Sequence, residues 1–277
     1  MQKILFVSDL DGTLLQPDAR LSAETVRLLN QSIAAGKLFT IATARTPATV
    51  APILKDVKIN IPAIVMTGAA QWIPGTHDFS SVKYMDPDVV RSLVEAYRRE
   101  KSPIFLFTLE DGVLNIFHIG GKLNDLEQAF VEERLTSPYK RFHLDPDGKE
   151  ILPDDLSKTV IFYGMQPPAI ARRGYEAALK IPGCRPQIYH DLYGPEIALI
   201  DDFAPEATKA NAVLELAGRL GADRIVAFGD NINDLPMLQV ADTAVAVENA
   251  LPEVKEAADI VIGPNTADSV ARFIAEY

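Results

Sequence analysis

Residues 9–15 read DLDGTLL, directly after the apolar run ILFVS. Only Leu10 separates Asp9 from Asp11, so the two carboxylates can flank one reacting centre, and Gly12 lets the chain turn sharply away. A carboxylate at a strand end close to a metal can attack phosphorus as a nucleophile. The second can protonate the leaving oxygen and then deprotonate water. The competing reading is a pair of turn aspartates, because Asp-Gly is a common turn dipeptide.

A second acidic group lies in FGDNINDLPML, residues 228–238. Phe228 ends an apolar run, Gly229 opens a turn, and Asp230, Asn231, Asn233 and Asp234 follow within five residues. Helix capping needs one such side chain, not four. Mg²⁺ takes few protein carboxylates together with water and substrate phosphate, and Asp9 with Asp230 supplies two. Lys209, in APEATKANAVLEL, follows Thr208, a residue type suited to an N-cap. A cation in the first helical turn opposes the macrodipole at a cost of roughly a few tenths of a kcal/mol, which a phosphate or a carboxylate cluster would offset. By itself Lys209 reads more readily as a solvated surface lysine. Thr43, in FTIATAR, can offer a phosphoryl oxygen its hydroxyl and its neighbours' N–H groups.

These residues need a scaffold that gathers strand ends. Ile4 to Val7, Leu38 to Ala42 and Ala63 to Met66 are continuous apolar runs, suited to strands covered on both faces. Between the first two, Ser22 can cap a helix that presents Val26, Leu29 and Ile33 on one face and ends at Gly36. This βαβ rhythm implies a parallel sheet with covering helices, and ligands of such sheets gather at the carboxyl ends of the strands. Asp9 and Asp11, Thr43, Thr67 and Asp230 all fall at such ends. From Asp86 to His190 hairpin-like runs around Asp111-Gly112 mix with helical stretches, the texture of an α+β unit with an antiparallel sheet. The rhythm then resumes through Ala210 to Leu220, Ile225 to Phe228, Thr243 to Val247 and Ile260 to Ile262. The expected fold is therefore α/β, a Rossmann-like core of residues 1–84 and 194–277 interrupted by an α+β domain of residues 85–193.

Bulk properties narrow the partners. Twenty-seven basic against 38 acidic side chains give a net charge of −11, which disfavours nucleic acid and anionic membrane. A phosphorylated substrate would then need local positive charge from a metal or a few placed cations. Cys184 is the only cysteine, so no internal disulfide or thiolate metal cluster can form. The opening MQKILFVSDLDGT lacks a secretory cleavage pattern. A reducing cytoplasm is the expected compartment. No GxGxxG follows an expected strand, which excludes the common dinucleotide-binding oxidoreductases.

In the order DxDGT, strand-end Thr, Lys, GDxxND, the chain resembles the haloacid dehalogenase superfamily of phosphohydrolases. It is most similar to the Cof-like sugar-phosphatase branch, which has a type IIB cap. SDLDGTLL, ATAR and GDNINDLPML followed by AVAVENALPEVKEAADIVI carry that resemblance over nearly the whole length. It implies Asp9 as nucleophile, Asp11 as general acid/base, and Mg²⁺ held by Asp9, the Asp11 backbone carbonyl and Asp230. It further implies that Thr43, Lys209 and Asn233 hold the phosphoryl group, together with Leu10, Ala44 and Arg45 of the same motifs. Asp234 would orient the lysine or a metal-bound water. Ala44 and Thr67 stand where the family has glycine and asparagine, Glu248 and Ser269 where it has glycines; none of these removes a catalytic group. The resemblance implies a phosphatase of small phosphorylated metabolites. A phosphomutase of the same superfamily and a non-catalytic phospho-ligand-binding protein are the alternatives.

Overall fold

In chain order the structure, a computed structural model that describes residues 2–190 and 196–277, begins with β1 (Ile4–Ser8), α1 (Ala23–Ala34), β2 (Leu38–Ile41) and α2 (Pro47–Leu54). Next come β3 (Ala63–Val65), β4 (Ala70–Trp72) and β5 (Phe79–Val82), which form a small sheet. The middle of the chain holds α3 (Pro87–Glu100), β6 (Ile104–Glu110), β7 (Val113–Ile119), α4 (Asp125–Glu132) and β8 (Lys140–His143). It continues with β9 (Thr159–Gln166), α5 (Pro168–Ala178), β10 (Arg185–His190) and β11 (Ala198–Phe203). The chain closes with α6 (Lys209–Leu220), β12 (Arg224–Gly229), α7 (Leu235–Gln239), β13 (Thr243–Val247), α8 (Pro252–Ala257), β14 (Ile260–Ile262) and α9 (Ser269–Glu276). No helix of the described residues is long and apolar enough to cross a membrane.

Contacts divide the chain into residues 1–81 with 207–277, and residues 82–206. In the first unit the strands run in the order β14-β13-β12-β1-β2, all parallel. The runs read as doubly covered strands are so: Leu5, Val7, Phe39, Ile41, Val226 and Phe228 are fully buried. β1 pairs with β2 on one side and β12 on the other. A parallel bridge from Ala42 to Ile64 continues the order to β3. Hence Asp9, Thr43 and Asp230, which follow the ends of β1, β2 and β12, share one edge. The α1 helix is capped as expected, with Ser22 Oγ accepting from Thr25 N.

The second unit is a six-stranded sheet in the order β10-β11-β9-β6-β7-β8. Its β6–β7 hairpin turns at Asp111 and Gly112, both at positive φ, as the Asp-Gly signal requires. Tyr97 of α3 stacks on Phe162 of β9, whereas Phe130 of α4 packs against Phe105 and Tyr163. Residues 162 and 163 point to opposite faces, so α3 and α4 cover opposite sides of the sheet. The expected break between 84 and 85 compares with one after Ser81, while the expected break between 193 and 194 lies outside the described residues. Residues 196–206, expected with the parallel sheet, instead carry β11. That strand pairs antiparallel with β9 and β10, so its backbone hydrogen bonds belong to the second sheet.

Two successive acids of β11 are buried in this unit. Tyr189 Oη donates to Asp201 Oδ2 at 2.7 Å and Tyr97 Oη to Asp202 Oδ2 at 2.5 Å, leaving the Oδ1 of each acid without a hydrogen-bond partner among the described residues. Burial pushes both carboxyls up to about 7. A carboxyl raised in the folded state keeps a proton that the unfolded chain has released. Its stabilising contribution is therefore complete below the ordinary carboxylate range and lost as pH rises through about 7. Asp202→Asn should accordingly flatten the fall in stability between pH 5 and pH 7.5, measured by urea unfolding at a series of pH values. A slope identical to that of the parent protein would show that Asp202 carries no such proton.

Candidate active site

The acidic edge is assembled by the turn after β1. Asp9 N donates to Phe228 O at 3.0 Å, and Ser8 Oγ donates to Asp9 O at 2.7 Å. The side chain of Leu10 is fully buried, and its carbonyl accepts from Leu14 N and Leu15 N at 3.0 and 2.9 Å, closing the turn. Gly12 sits at φ +81°, and a Cβ there would lie 2.3 Å from Asp230 Oδ2. Only glycine lets the β1 turn lie so close to the end of β12. Thr13 Oγ1 donates to Asp230 Oδ1 at 2.8 Å, and Asn249 Nδ2 donates to Gly12 O at 2.7 Å. Sequence reasoning passed over Thr13 and Asn249 as members of the site. The Thr of DxDGT was available as a signal, but that its partner is Asp230, far along the chain, was not.

Lys209 is the first residue of α6, capped by Thr208 Oγ1, which accepts from Asn211 N at 3.0 Å. Lys209 is 2% exposed, which removes the reading of a solvated surface lysine. Its Nζ lies 2.5 Å from Asp9 Oδ1 and 2.7 Å from Asp234 Oδ1. The other oxygen of Asp234 accepts from Asp230 N and Asn231 N, both at 3.1 Å. Asp234 thus spends its whole carboxylate on Lys209 and on the turn after β12. Gly229 leaves room for this, since a Cβ there would be 2.6 Å from Asp234 Cβ.

Asp9, Asp230 and Asp234 each present an oxygen within 4.8 Å of the others, and the Lys209 ammonium contacts Asp9 and Asp234. Burial pushes Lys209 down, but Asp9 and Asp234 outweigh it and hold the ammonium above its ordinary range. Burial likewise pushes Asp9 above the carboxylate range, against the pull of Lys209 and with the help of Asp234 and Asp230. Asp230 is raised to about 6, chiefly by burial, with the Thr13 hydroxyl opposing and Asp234 reinforcing. Three carboxylates against one cation leave the cluster short of positive charge. Hard oxygen ligands with excess negative charge are the donor set a divalent cation such as Mg²⁺ requires, so the residues fit that ion.

The remaining expected residues lie around this cluster. Thr43 is buried, and its Oγ1 accepts from Arg45 N at 3.2 Å. The N–H groups of Leu10 and Ala44 donate to no other group among the described residues. Arg45 Nε and Nη2 hold the two oxygens of Asp11 at 2.8 and 2.6 Å, a pairing no sequence pattern announced. Asp11 therefore stands apart from the Asp9–Lys209–Asp234 contact. Asn233 is exposed, and no hydrogen bond joins its side chain to the other site residues. Thr67 is buried and left-handed, at φ 56°.

A profile of the haloacid dehalogenase-like hydrolases matches residues 6–274. The chain is 28% identical to the pyridoxal phosphate phosphatase YbhA of Escherichia coli, over 97% of this chain and 96% of that protein. It is 27% identical to the 5-amino-6-(5-phospho-D-ribitylamino)uracil phosphatase YwtE of Bacillus subtilis, over 96% of this chain and 95% of the relative. The solved structure of BT4131, described as a subclass IIB sugar phosphatase, matches with a TM-score of 0.70 at 22% identity, covering 99% of this chain and 98% of its own, a likeness of fold.

Replacing Asp234 by asparagine would turn an amide, donor on one side, toward either Lys209 or the two N–H groups it now serves. Removing one partner of a buried charge pair costs about 3 kcal/mol. Asp234→Asn should lower the urea midpoint by a corresponding amount with an unchanged denaturant slope. A midpoint equal to that of the parent would mean that Lys209 is held without Asp234.

Proposed function

The chain belongs to the haloacid dehalogenase-like hydrolases and is a phosphoric monoester hydrolase; we propose that it acts on small phosphorylated metabolites, sugar phosphates among them, through a phosphoaspartate on Asp9 with Mg²⁺ as cofactor. The observation that carries this reading is the cluster of Asp9, Asp230 and Asp234 oxygens, two of whose acids contact the buried Lys209 ammonium. Mg²⁺ would be held by the Asp9 and Asp230 carboxylates and the Asp11 backbone carbonyl, and would supply the positive charge that the cluster lacks.

The residues of the chain then divide the work. Lys209 holds Asp9 Oδ1, which leaves Oδ2 without a hydrogen bond among the described residues and available to attack phosphorus. As the Oδ2–P bond forms, the bond from phosphorus to the alcohol oxygen breaks, and Asp11 as a carboxylic acid gives that oxygen its proton. The Asp11 carboxylate next takes a proton from water, whose oxygen attacks phosphorus and releases phosphate and free Asp9. Both proton transfers require Asp11 to exchange Arg45 for the reacting oxygens, so Arg45 is assigned to hold Asp11 between turnovers. Phosphoryl oxygens are assigned to the Thr43 hydroxyl, the unused N–H groups of Leu10 and Ala44, the Lys209 ammonium and Asn233. All of these groups come from residues 1–81 and 207–277. We therefore assign discrimination among the alcohol portions of substrates to the inserted unit, in the manner of a cap.

Three outcomes follow. Turnover of sugar phosphates should vanish in excess chelator and return with added Mg²⁺; full turnover in the chelator would remove the metal from the reaction. Asp9→Asn should abolish turnover of every ester while the protein stays folded. Asp11→Asn should lose more activity on alkyl phosphates than on an aryl phosphate, whose leaving oxygen needs little protonation. Equal losses on the two classes, measured as kcat/KM, would take the acid role from Asp11.

A further inference from the structure

Three consecutive residues after β3 lie in the left-handed region: Met66 at φ 51°, Thr67 at φ 56° and Gly68 at φ 98°. For a β-branched residue such as threonine this backbone is a genuine outlier. Strain of this kind persists only where the surroundings over-determine it, and it collects at functional sites. The surroundings here can be named on both sides of the turn.

On one side the turn is tied to the loop after β2. Met66 N donates to Arg45 O at 2.9 Å, Thr67 N donates to Thr43 O at 3.0 Å, and Thr43 N donates back to Ile64 O at 3.0 Å. A relaxed right-handed or extended backbone at residues 66 and 67 would aim these N–H groups elsewhere. On the other side the turn abuts the start of α6. A Cβ on Gly68 would stand 2.2 Å from Thr208 O, 2.4 Å from Thr208 C and 3.0 Å from Lys209 N. Thr208 O is itself engaged by Ala212 N at 3.0 Å in the first turn of α6. The peptide that carries Lys209 therefore rests on the bare Cα of Gly68.

We infer that the Met66–Gly68 turn sets the spacing between Thr43 and Lys209, with Gly68 acting as the positioning residue for phosphoryl transfer. The inference rests on the assignment of Thr43 and Lys209 to the phosphoryl group made above. Its physical basis is the tightness of the Lys209 contacts, at 2.5 and 2.7 Å, which a displaced helix start cannot keep. A side chain at residue 68 cannot be accommodated without moving the Thr208–Lys209 peptide. At residue 67 the demand is different: the backbone must be left-handed, and asparagine meets that demand with less strain than threonine.

The test combines three variants in the full chain with two readouts, steady-state kinetics on several phosphate esters and calorimetric binding of inorganic phosphate. Gly68→Ala should lower kcat by about tenfold or more and by a similar factor on every ester, because the shared phosphoryl contacts are displaced. It should weaken phosphate binding in parallel. Thr67→Asn should raise the melting temperature by about 2–4 °C while kcat and phosphate affinity stay at parent values. The double variant Thr67→Asn with Gly68→Ala should regain the melting temperature lost by Gly68→Ala but not its kcat, since the clash with Thr208 remains. That separation of stability from rate is what a merely structural turn would not produce. Parent values of kcat and phosphate affinity in folded Gly68→Ala, or recovery of both stability and rate in the double variant, would overturn the inference. A parent protein that binds phosphate through a Gly68-dependent site yet hydrolyses no ester would overturn the proposed function and leave the positioning role standing. A parent that does neither would overturn both.

Discussion

Lys209 reaches 2.5 Å from Asp9 and 2.7 Å from Asp234 while almost fully buried, and this contact joins three parts of the chain that lie far apart in sequence. A buried ammonium is expensive unless it is paired, and a buried carboxylate equally so. The ends of β1 and β12 and the start of α6 are therefore bound to one another by mutual need. The smaller features around the contact serve it. Glycines at 12, 68 and 229 remove the Cβ atoms that would hold these elements apart. Thr13 and Asn249 then lock Asp230 and the β1 turn at the resulting distance.

The same contact leaves a charge imbalance. One cation faces three carboxylates, and desolvation raises Asp9 and Asp230 above the ordinary carboxylate range. Burial of Asp9 and Asp230, whose charge exceeds what the one cation offsets, costs the fold stability. Three acids gathered here, two buried and Asp230 partly so, follow the pattern of functional sites, where fold stability is given up for function. The left-handed backbone at Met66 and Thr67 follows the same pattern in conformational terms.

The inserted unit is organised on different principles. Its sheet is antiparallel apart from the β7–β8 pair, and α3 and α4 cover opposite faces. It carries its own buried acids, Asp201 and Asp202, each accepting a hydrogen bond from a tyrosine hydroxyl through one oxygen. Burial raises both carboxyls to about 7, and the tyrosine hydroxyls oppose that rise.

Much of this protein is written locally. The doubly covered strands, the Ser22 cap, the Asp111-Gly112 hairpin and the placement of Asp9, Thr43 and Asp230 at strand ends depend on residues within one or two turns of each other, and the chain spells them out. Sequence order also showed that an α+β stretch interrupts a parallel sheet. Tertiary structure alone decided the rest, because each remaining feature is a contact between residues distant along the chain. Burial of Lys209, the grip of Arg45 on Asp11 and the hold of Thr13 on Asp230 need partners that no window of sequence contains. The allegiance of β11 is of this kind, since an apolar run does not reveal which strands will accept its hydrogen bonds. So is the left-handed turn at Met66–Gly68: local preference argues against it, and the carbonyls of Thr43 and Arg45 together with the peptide before Lys209 impose it.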